Sequence, residues 1–511
     1  MGERLNRREF MSLMGILPLS YAISWAPSKR KGRKVVSSQN ILIIVFDAFS
    51  GHNVSLYGYP RLTTPFLSSL AENAIVYHNH YAAANFTTPG TASLLTGTYP
   101  WTHRAIQINS AVALPLQENN IYRLFEDYYT VTYSHNQLVN ILQNGFTVDI
   151  DHYKPREALI LGQNDWLAKL FRKDEDIATV AWARTSGKVE DNLSSTLFLA
   201  DIFRYFSERR DQRMENEFPI GLPVSSLDHF LLEDAVNWLI AEVKMFPQPF
   251  LGYFHFLPPH APYNTRKQFV NAFQKSEISI YNKPKHPLAR PGRVKQEYSL
   301  DHYRRTYDEY ILYVDSEFNR LCKALEREGV LENTCIVLTS DHGEMFERGI
   351  LGHSTPSLHD PLVRIPLLIF DPSQKGRKDI YSYTSAVDLL PTLLNLTGKK
   401  IPSWIEGSIL PPYEESDLER SIFALDAKTN KPSRPLQSAS AMILKDQYKL
   451  TKYYGYGFLP GGDTLVELYD LKSDPEEMNN LTESHPQVML NLLDELEIRI
   501  NAAEEAFRKT Q

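Results

Sequence analysis

The first sustained apolar run of the chain, Ile41-Leu42-Ile43-Ile44-Val45-Phe46, has no polar alternation and stops at Asp47. That is the pattern of a strand buried on both faces. Short apolar runs at Thr130–Tyr133, Phe250–Phe256, Cys335–Leu338 and Pro366–Phe370 predict further parallel strands, the fourth extending through Thr339-Ser340. Between them, amphipathic spacing over Leu231–Val243 and Asp308–Leu325 predicts helices, as does the patterning around Pro65–Ala74 and after Pro89. Strands alternating with helices predict an α/β sandwich: a mostly parallel central sheet flanked by helices.

Three stretches break this rhythm. Residues 155–230 are polar and helix-prone, and read as a helical insertion that could shape or cover a site. Residues 265–300 are rich in Lys, Pro and Arg and read as an exposed loop. Beyond Pro411, Met442–Leu450 and Leu465–Tyr469 predict antiparallel strands, and Pro486–Phe507 predicts a closing amphipathic helix. The expected organisation is therefore a leader over 1–35, a catalytic domain over 36–410 and a smaller C-terminal α+β subdomain over 411–511.

The leader has a pattern of its own. Asn6-Arg7-Arg8-Glu9-Phe10-Met11 resembles a twin-arginine export signal and precedes an apolar stretch from Met11 to about Ala26. That stretch is short for a membrane span and is expected to be a signal segment or an N-terminal anchor. An exported protein, periplasmic or extracellular, is the expectation, with the twin-arginine export machinery as a partner and N-terminal membrane association as the variant. The remainder has no long uninterrupted apolar run. Composition changes the picture little: 511 residues, 43% hydrophobic and 23% charged, suit a large soluble core. A net charge of −7 gives no general attraction for nucleic acid. The two cysteines, Cys322 and Cys335, are expected to be buried thiols.

Polar residues cluster where strands end, which in open α/β sheets is where ligands bind. Asp47 ends the first strand, and Asp341-His342 follows Cys335–Leu338. Two carboxylates and an imidazole form a plausible donor set for Zn²⁺ or Mn²⁺. In Asn85-Phe86-Thr87-Thr88-Pro89-Gly90-Thr91, Pro89 suits a first helical turn and Gly97 a helix end. Thr87 is then expected just before a helix N-terminus, where backbone N–H groups attract anions.

These residues resemble the sulfatase signature of the alkaline-phosphatase superfamily. Its order is followed by Asp47, Thr87-x-Pro89 with Leu94-Leu95-Thr96-Gly97, then Thr339-Ser340-Asp341-His342-Gly343-Glu344, then His353, then Ser357-Leu358-His359-Asp360 with Arg364-Ile365-Pro366. His255 with Pro259-His260-Ala261-Pro262 adds to it. The resemblance runs from about residue 40 to 482 and implies an alkaline-phosphatase-like sandwich. The departures are specific. Thr87 stands where sulfatases carry a Cys or Ser that is oxidised to formylglycine, and Thr91 stands where they carry Arg. Ala48 follows Asp47 where a second Asp is common, Ser134-His135-Asn136-Gln137 replaces a Lys-Trp-His segment, and no lysine occurs between His342 and Lys375.

What remains is similar to the threonine-nucleophile branch of the superfamily. That resemblance implies Asp47, Thr87, Asp341 and His342 as ligands of a divalent metal, Zn or Mn ahead of Ca, in one or two ions. It implies Thr87, His260 and His353 as catalytic residues, and His255, His260, His353 and His359 as contacts to phosphate or a second metal. His52 and His135 are weaker candidates. The expected activity is metal-dependent hydrolysis of phosphate mono- or diesters, with metal-activated Thr87 forming a phosphothreonine intermediate. The substrate is expected to be a small molecule or a glycan- or lipid-linked ester. The alternatives are sulfuric ester hydrolysis, phosphoryl transfer to a lipid or glycan, and a catalytically silent binding protein.

Overall fold

The computed structural model describes residues 39–161, 214–225, 228–276, 283–289, 299–415, 417, 419–457, 459 and 462–509. Both leader readings and most of the 155–230 insertion lie outside the described residues.

Among the described residues the centre is one eight-stranded sheet. Its strands are β1 (Asn40–Phe46), β2 (Ile75–Tyr77), β3 (Tyr129–Ser134), β4 (His152–Tyr153), β5 (Phe250–Phe256), β6 (Thr334–Thr339), β7 (Leu367–Phe370) and β8 (Lys378–Ile380). They lie in the order β8-β2-β7-β6-β1-β5-β3-β4. The uniformly apolar run became the central strand, β1, paired in parallel with β5 and β6. Alternate residues serve opposite layers. Leu42, Ile44 and Phe46 pack with the helices Leu232–Glu242 and Leu300–Arg327, whereas Ile41, Ile43 and Val45 pack with Thr87–Thr96 and Leu389–Leu396. A side-chain period of two explains why the run Ile41–Phe46 is apolar at every position, both faces of the strand being covered. One expectation is corrected: β7 runs antiparallel to both neighbours, β2 and β6. An apolar run encodes burial, and strand direction comes from the connections around it.

The helices used below are α1 (Thr87–Thr96), α2 (Leu300–Arg327) and α3 (Pro486–Lys509). α2 begins eight residues before the expected start, where the Ser299 side chain accepts the His302 N–H at 3.2 Å. Beyond residue 411 a four-stranded antiparallel sheet forms: β9 (Ile422–Asp426), β10 (Ala439–Lys445), β11 (Tyr448–Tyr454) and β12 (Thr464–Asp470). Met442–Leu450, expected as one strand, is a hairpin turning at Asp446, whose φ of 54° is left-handed. Phe423, Leu425, Ala441 and Ile443 pack with Leu492 and Leu496 of α3. The opposite face, with Ile422, Ala424, Met442 and Leu444, packs with Leu358 and Leu362, which precede β7. The C-terminal sheet is thus a layer between α3 and the loops that carry the site.

Candidate active site

The carboxyl ends of β1, β5 and β6 meet the start of α1. Asp47 follows β1, and its N–H continues the β1–β5 ladder to Phe256 O at 2.9 Å. Asp341 and His342 follow β6 and are tied to the segment after β1 by Ser340, whose Oγ accepts the Phe49 N–H at 2.9 Å. Ala48, in the left-handed region at φ 59°, donates its N–H to Asp341 Oδ1 at 3.2 Å. Asp47, Asp341 and His342 are fully buried, and each offers a ligand atom within 4.8 Å of the others.

Thr87 is the first residue of α1 rather than the residue before it. Its predecessor Phe86 is the extended N-cap and supplies no side-chain acceptor, so the first-turn N–H groups have no cap hydrogen bond to a side chain. Thr87 Oγ1 stands 3.4 Å from His342 Nε2 and 3.5 Å from Asn136 Nδ2. Gly90 permits this approach, because a Cβ there would meet Asp341 O at 2.3 Å. A free helix N-terminus, a hydroxyl and a carboxylate–imidazole group therefore share one buried point.

Three of the predicted histidines converge here. His255, on β5, places Nε2 3.2 Å from Asp47 Oδ2 and 3.7 Å from Asp341 Oδ2, and its Nδ1 lies 3.1 Å from Tyr253 Oη. His353 directs Nδ1 to Glu344 Oε1 at 3.1 Å, and its ring lies 4.3 Å from that of His342 and 4.9 Å from that of His260. His260 donates from Nδ1 to Ala261 O at 2.6 Å. The Nε2 atoms of His260 and His353 are thereby left as the free nitrogens.

His359 does not join them. Its Nε2 faces Glu467 Oε2 at 3.8 Å, beside the ring of His286, where the C-terminal sheet meets the catalytic domain. His286, His359 and Glu467 also bring ligand atoms within 4.8 Å. His286 Nδ1, however, accepts the Leu288 N–H at 3.1 Å, which puts its proton on the Nε2 that faces Glu467 at 3.3 Å. This is a polar weld between layers, held by proximity of the imidazoles to the Glu467 carboxylate. His52 faces Asp360 at 3.7 Å, and His135 stacks on Phe230 at 4.3 Å. Neither reaches Thr87. Two residues that sequence reasoning passed over do reach the site. Asn136 makes a short hydrogen bond to Asp47 Oδ2, and Glu344 orients His353. Both stood inside quoted motifs, two residues after β3 and five after β6, where no local pattern marks them.

Electrostatics favour a bound cation. Burial opposes ionisation of Asp47, but His260, His255 and His342 outweigh it and hold Asp47 well below the usual carboxylate range. Burial and the neighbouring Asp47 charge push Asp341 up. Burial opposes protonation of His342, yet Asp341 and Asp47 lift it to about 9. Asp47 Oδ1 and Asp341 Oδ2 are buried without a hydrogen-bond partner. Such oxygens are costly unless a cation or proton meets them. Carboxylates that draw a proton onto His342 would equally draw a divalent ion, which needs that nitrogen deprotonated. The donor set of Asp47, Asp341, His342 and the Thr87 hydroxyl fits such an ion.

A family model described as sulfatase matches residues 39–399, which hold every residue of this site. The chain belongs to the sulfatase family. A second model, N-sulphoglucosamine sulphohydrolase C-terminal, matches residues 355–505. An ulvan-active sulfatase of Formosa agariphila is 25% identical over 96% of this chain and 87% of its own length. A multifunctional alkaline phosphatase superfamily protein of Trinickia caryophylli is 25% identical over 87% of this chain and 91% of its own. The fold resembles a phosphonate monoester hydrolase of Agrobacterium radiobacter, with a TM-score of 0.66, 19% identity and coverage of 91% and 96% of the two chains. It also resembles a protein solved with D-glucosamine-2-N,6-O-disulfate, with a TM-score of 0.63, 18% identity and coverage of 92% and 99%. As a sulfatase-family chain it is a hydrolase acting on ester bonds, and its family is metal-dependent.

Proposed function

We propose that this family member cleaves phosphate or phosphonate esters with Thr87 itself as the nucleophile. The observation that carries the reading is the residue at the start of α1. Thr87 occupies the point where the helix N-terminus meets Asp47, Asp341 and His342, and no cysteine or serine stands there. The two cysteines are buried in the hydrophobic layers, at 5% and 1% exposure. A threonine cannot be oxidised to an aldehyde, so the hydroxyl must act as it is.

A divalent metal held by Asp47, Asp341 and His342 would supply the acidity that a threonine hydroxyl lacks and neutralise charge on the ester. The chain's own groups do the rest. Thr87 Oγ1 forms a bond to phosphorus while the bond to the leaving oxygen breaks. The N–H groups of α1 face the equatorial oxygens, where negative charge gathers. Asn136 donates to Asp47, fixing that carboxylate, and stands within reach of Thr87. His353 is held well below its ordinary range by burial and by its histidine neighbours, so it stays neutral and accepts through Nε2. His260, partly exposed, is the better placed to carry a proton to the leaving oxygen. Water then releases the phosphoryl group from Thr87; a second alcohol in its place would make the protein a transferase.

The test is a panel of nitrophenyl sulfate, phosphate, phosphonate and phosphodiester with Zn²⁺ or Mn²⁺ added. Cleavage of the phosphorus esters far above the sulfate supports the reading. Dominant sulfate cleavage, as the ulvan-active relative's name suggests for that protein, would overturn it and leave the family and fold intact. The Arg7-Arg8 motif supports export by the twin-arginine route. Replacing both by Lys should abolish export of a reporter fusion, and unchanged export would refute that route. No helix among the described residues is long and apolar enough to cross a membrane.

A further inference from the structure

The site as described holds carboxylates and imidazoles around Thr87 but no lysine or arginine in direct contact with it. A doubly charged phosphoryl group calls for fixed positive charge beside the metal. Thr91, buried in α1, cannot give it, and residues 343–374 contain no lysine. The C-terminal sheet supplies a cation from another direction.

Strand β9 is joined to the segment that leads into α1. Leu425 donates its N–H to Ala83 O at 2.9 Å, and Ala427 packs in one cluster with Ala83. On its other side this segment is tied to the loop after His353, because Asn85 Nδ2 donates to Thr355 O at 2.7 Å and Ser357 O at 2.8 Å. Lys428 lies two residues beyond β9. Its Nζ stands 4.5 Å from the ring centroid of Phe86, the N-cap residue next to Thr87. Its charge is also felt by His353, which adds to the same placement. Lys428 is therefore placed against the residue that directly precedes the nucleophile. Asp426 anchors its root: Oδ1 accepts the Lys428 N–H at 3.1 Å and Oδ2 meets Nζ at 3.1 Å. The Asp426 side chain is 2% exposed and that of Lys428 22%, so one face of the ammonium remains open. An ammonium has three donors, and a single carboxylate oxygen does not exhaust them.

We infer that Lys428 binds a non-bridging oxygen of the phosphoryl group at Thr87, making the C-terminal subdomain part of the active site and favouring doubly charged monoesters over singly charged esters. The inference rests on the phosphoester reading and names its substrate class. A phosphate monoester carries a second negative charge that a diester and a sulfate ester lack. A point charge placed for that second charge discriminates by charge more than by shape.

The experiment compares wild type with Lys428→Met and Lys428→Arg, all metal-loaded, with thermal unfolding as the check on folding. Calorimetry reads the affinity for inorganic phosphate at pH 8, and kinetics read kcat/KM on nitrophenyl phosphate and on bis-nitrophenyl phosphate. Lys428→Met should weaken phosphate binding and monoester kcat/KM by about 10- to 100-fold, as expected for one charge-assisted hydrogen bond. Diester kcat/KM should change by less than about 3-fold, and Lys428→Arg should restore most of the monoester rate. Equal losses on both esters, no loss of phosphate affinity, or a wild type that binds no phosphate would overturn the inference. Failure of the underlying reading looks different: sulfate cleavage would dominate, or Thr87→Ala would stay active, whatever residue stands at 428.

Discussion

At the scale of single residues, some side chains reach Thr87 and others only resemble site residues in sequence. Thr87→Ala should lower kcat on the preferred ester by at least about a thousandfold, since a covalent nucleophile contributes several kcal/mol. Thr87→Ser should keep activity within about tenfold, because the hydroxyl is retained. Steady-state kinetics on folded, metal-loaded variants check both. An alanine variant retaining more than a tenth of wild-type activity would remove Thr87 from the mechanism. His359→Ala gives the contrasting case. It should leave KM and kcat within about threefold and instead lower stability by about 1–3 kcal/mol, because it leaves buried polar partners unmet. Sequence reasoning ranked His353 above His359, naming only the first as catalytic, but kept both as contacts of the site. Both follow the same motif, and the turn through Ser357 carries one to the site and the other to Glu467.

At the scale of elements, the site depends on how closely α1 and the C-terminal sheet approach the strand ends. Gly90→Ala drives a Cβ into Asp341 O. It should push α1 away, weaken metal affinity by an order of magnitude or more and leave the far-UV circular dichroism intact. A metal titration with unchanged affinity would contradict that packing. Lys449 is the buried cation of the weld, 2.7 Å from Asp360 Oδ1 and 2.8 Å from Glu477 Oε1. Burial opposes ionisation of Asp360, but Lys449 outweighs it and holds that carboxylate far below its usual range. Lys449→Met should cost about 3–5 kcal/mol by stranding those carboxylates, read by denaturant unfolding. The strands were legible because buried runs such as Ile41–Phe46 need no context. The reversed β7 and the Asp446 hairpin were not, since direction and turn depend on partners distant in the chain. Asn136 and Lys428 escaped notice for the same reason: β3 brings Asn136 to Thr87, and β9 brings Lys428 to Phe86, only once the sheets are assembled.

At the scale of the whole molecule, pH acts through histidines buried as neutral groups. Burial pushes His80 down to about 4 and His103 and His135 down to about 3. In the unfolded chain each would take a proton near 6.5. At these three groups the unfolded state binds more protons below that pH, so their contribution to stability is fully present above about 6.5 and falls towards pH 4, whereas Asp308 and Asp315, which burial pushes up to about 6 and about 7, act in the opposite sense. The gap in unfolding midpoint between wild type and His135→Phe, measured between pH 8 and 4 at constant ionic strength, should shift in favour of the variant as the pH falls through that window. A flat profile would mean these imidazoles are reached by water. The layered architecture explains why three such groups are tolerated: each sits between packed elements, and His80, for example, has Thr384 Oγ1 at 2.9 Å from its Nδ1.

The central claim, that this sulfatase-family chain uses an unmodified threonine hydroxyl, is open to direct sight. Metal-loaded protein would be mixed with nitrophenyl phosphate, quenched in acid within the first turnovers and digested for peptide mass spectrometry. The account predicts a phosphoryl group on the peptide that carries Thr87, absent from the Thr87→Ala protein. Turnover of the ester with that peptide unmodified at every quench time, and with Thr87→Ala still active, would contradict it.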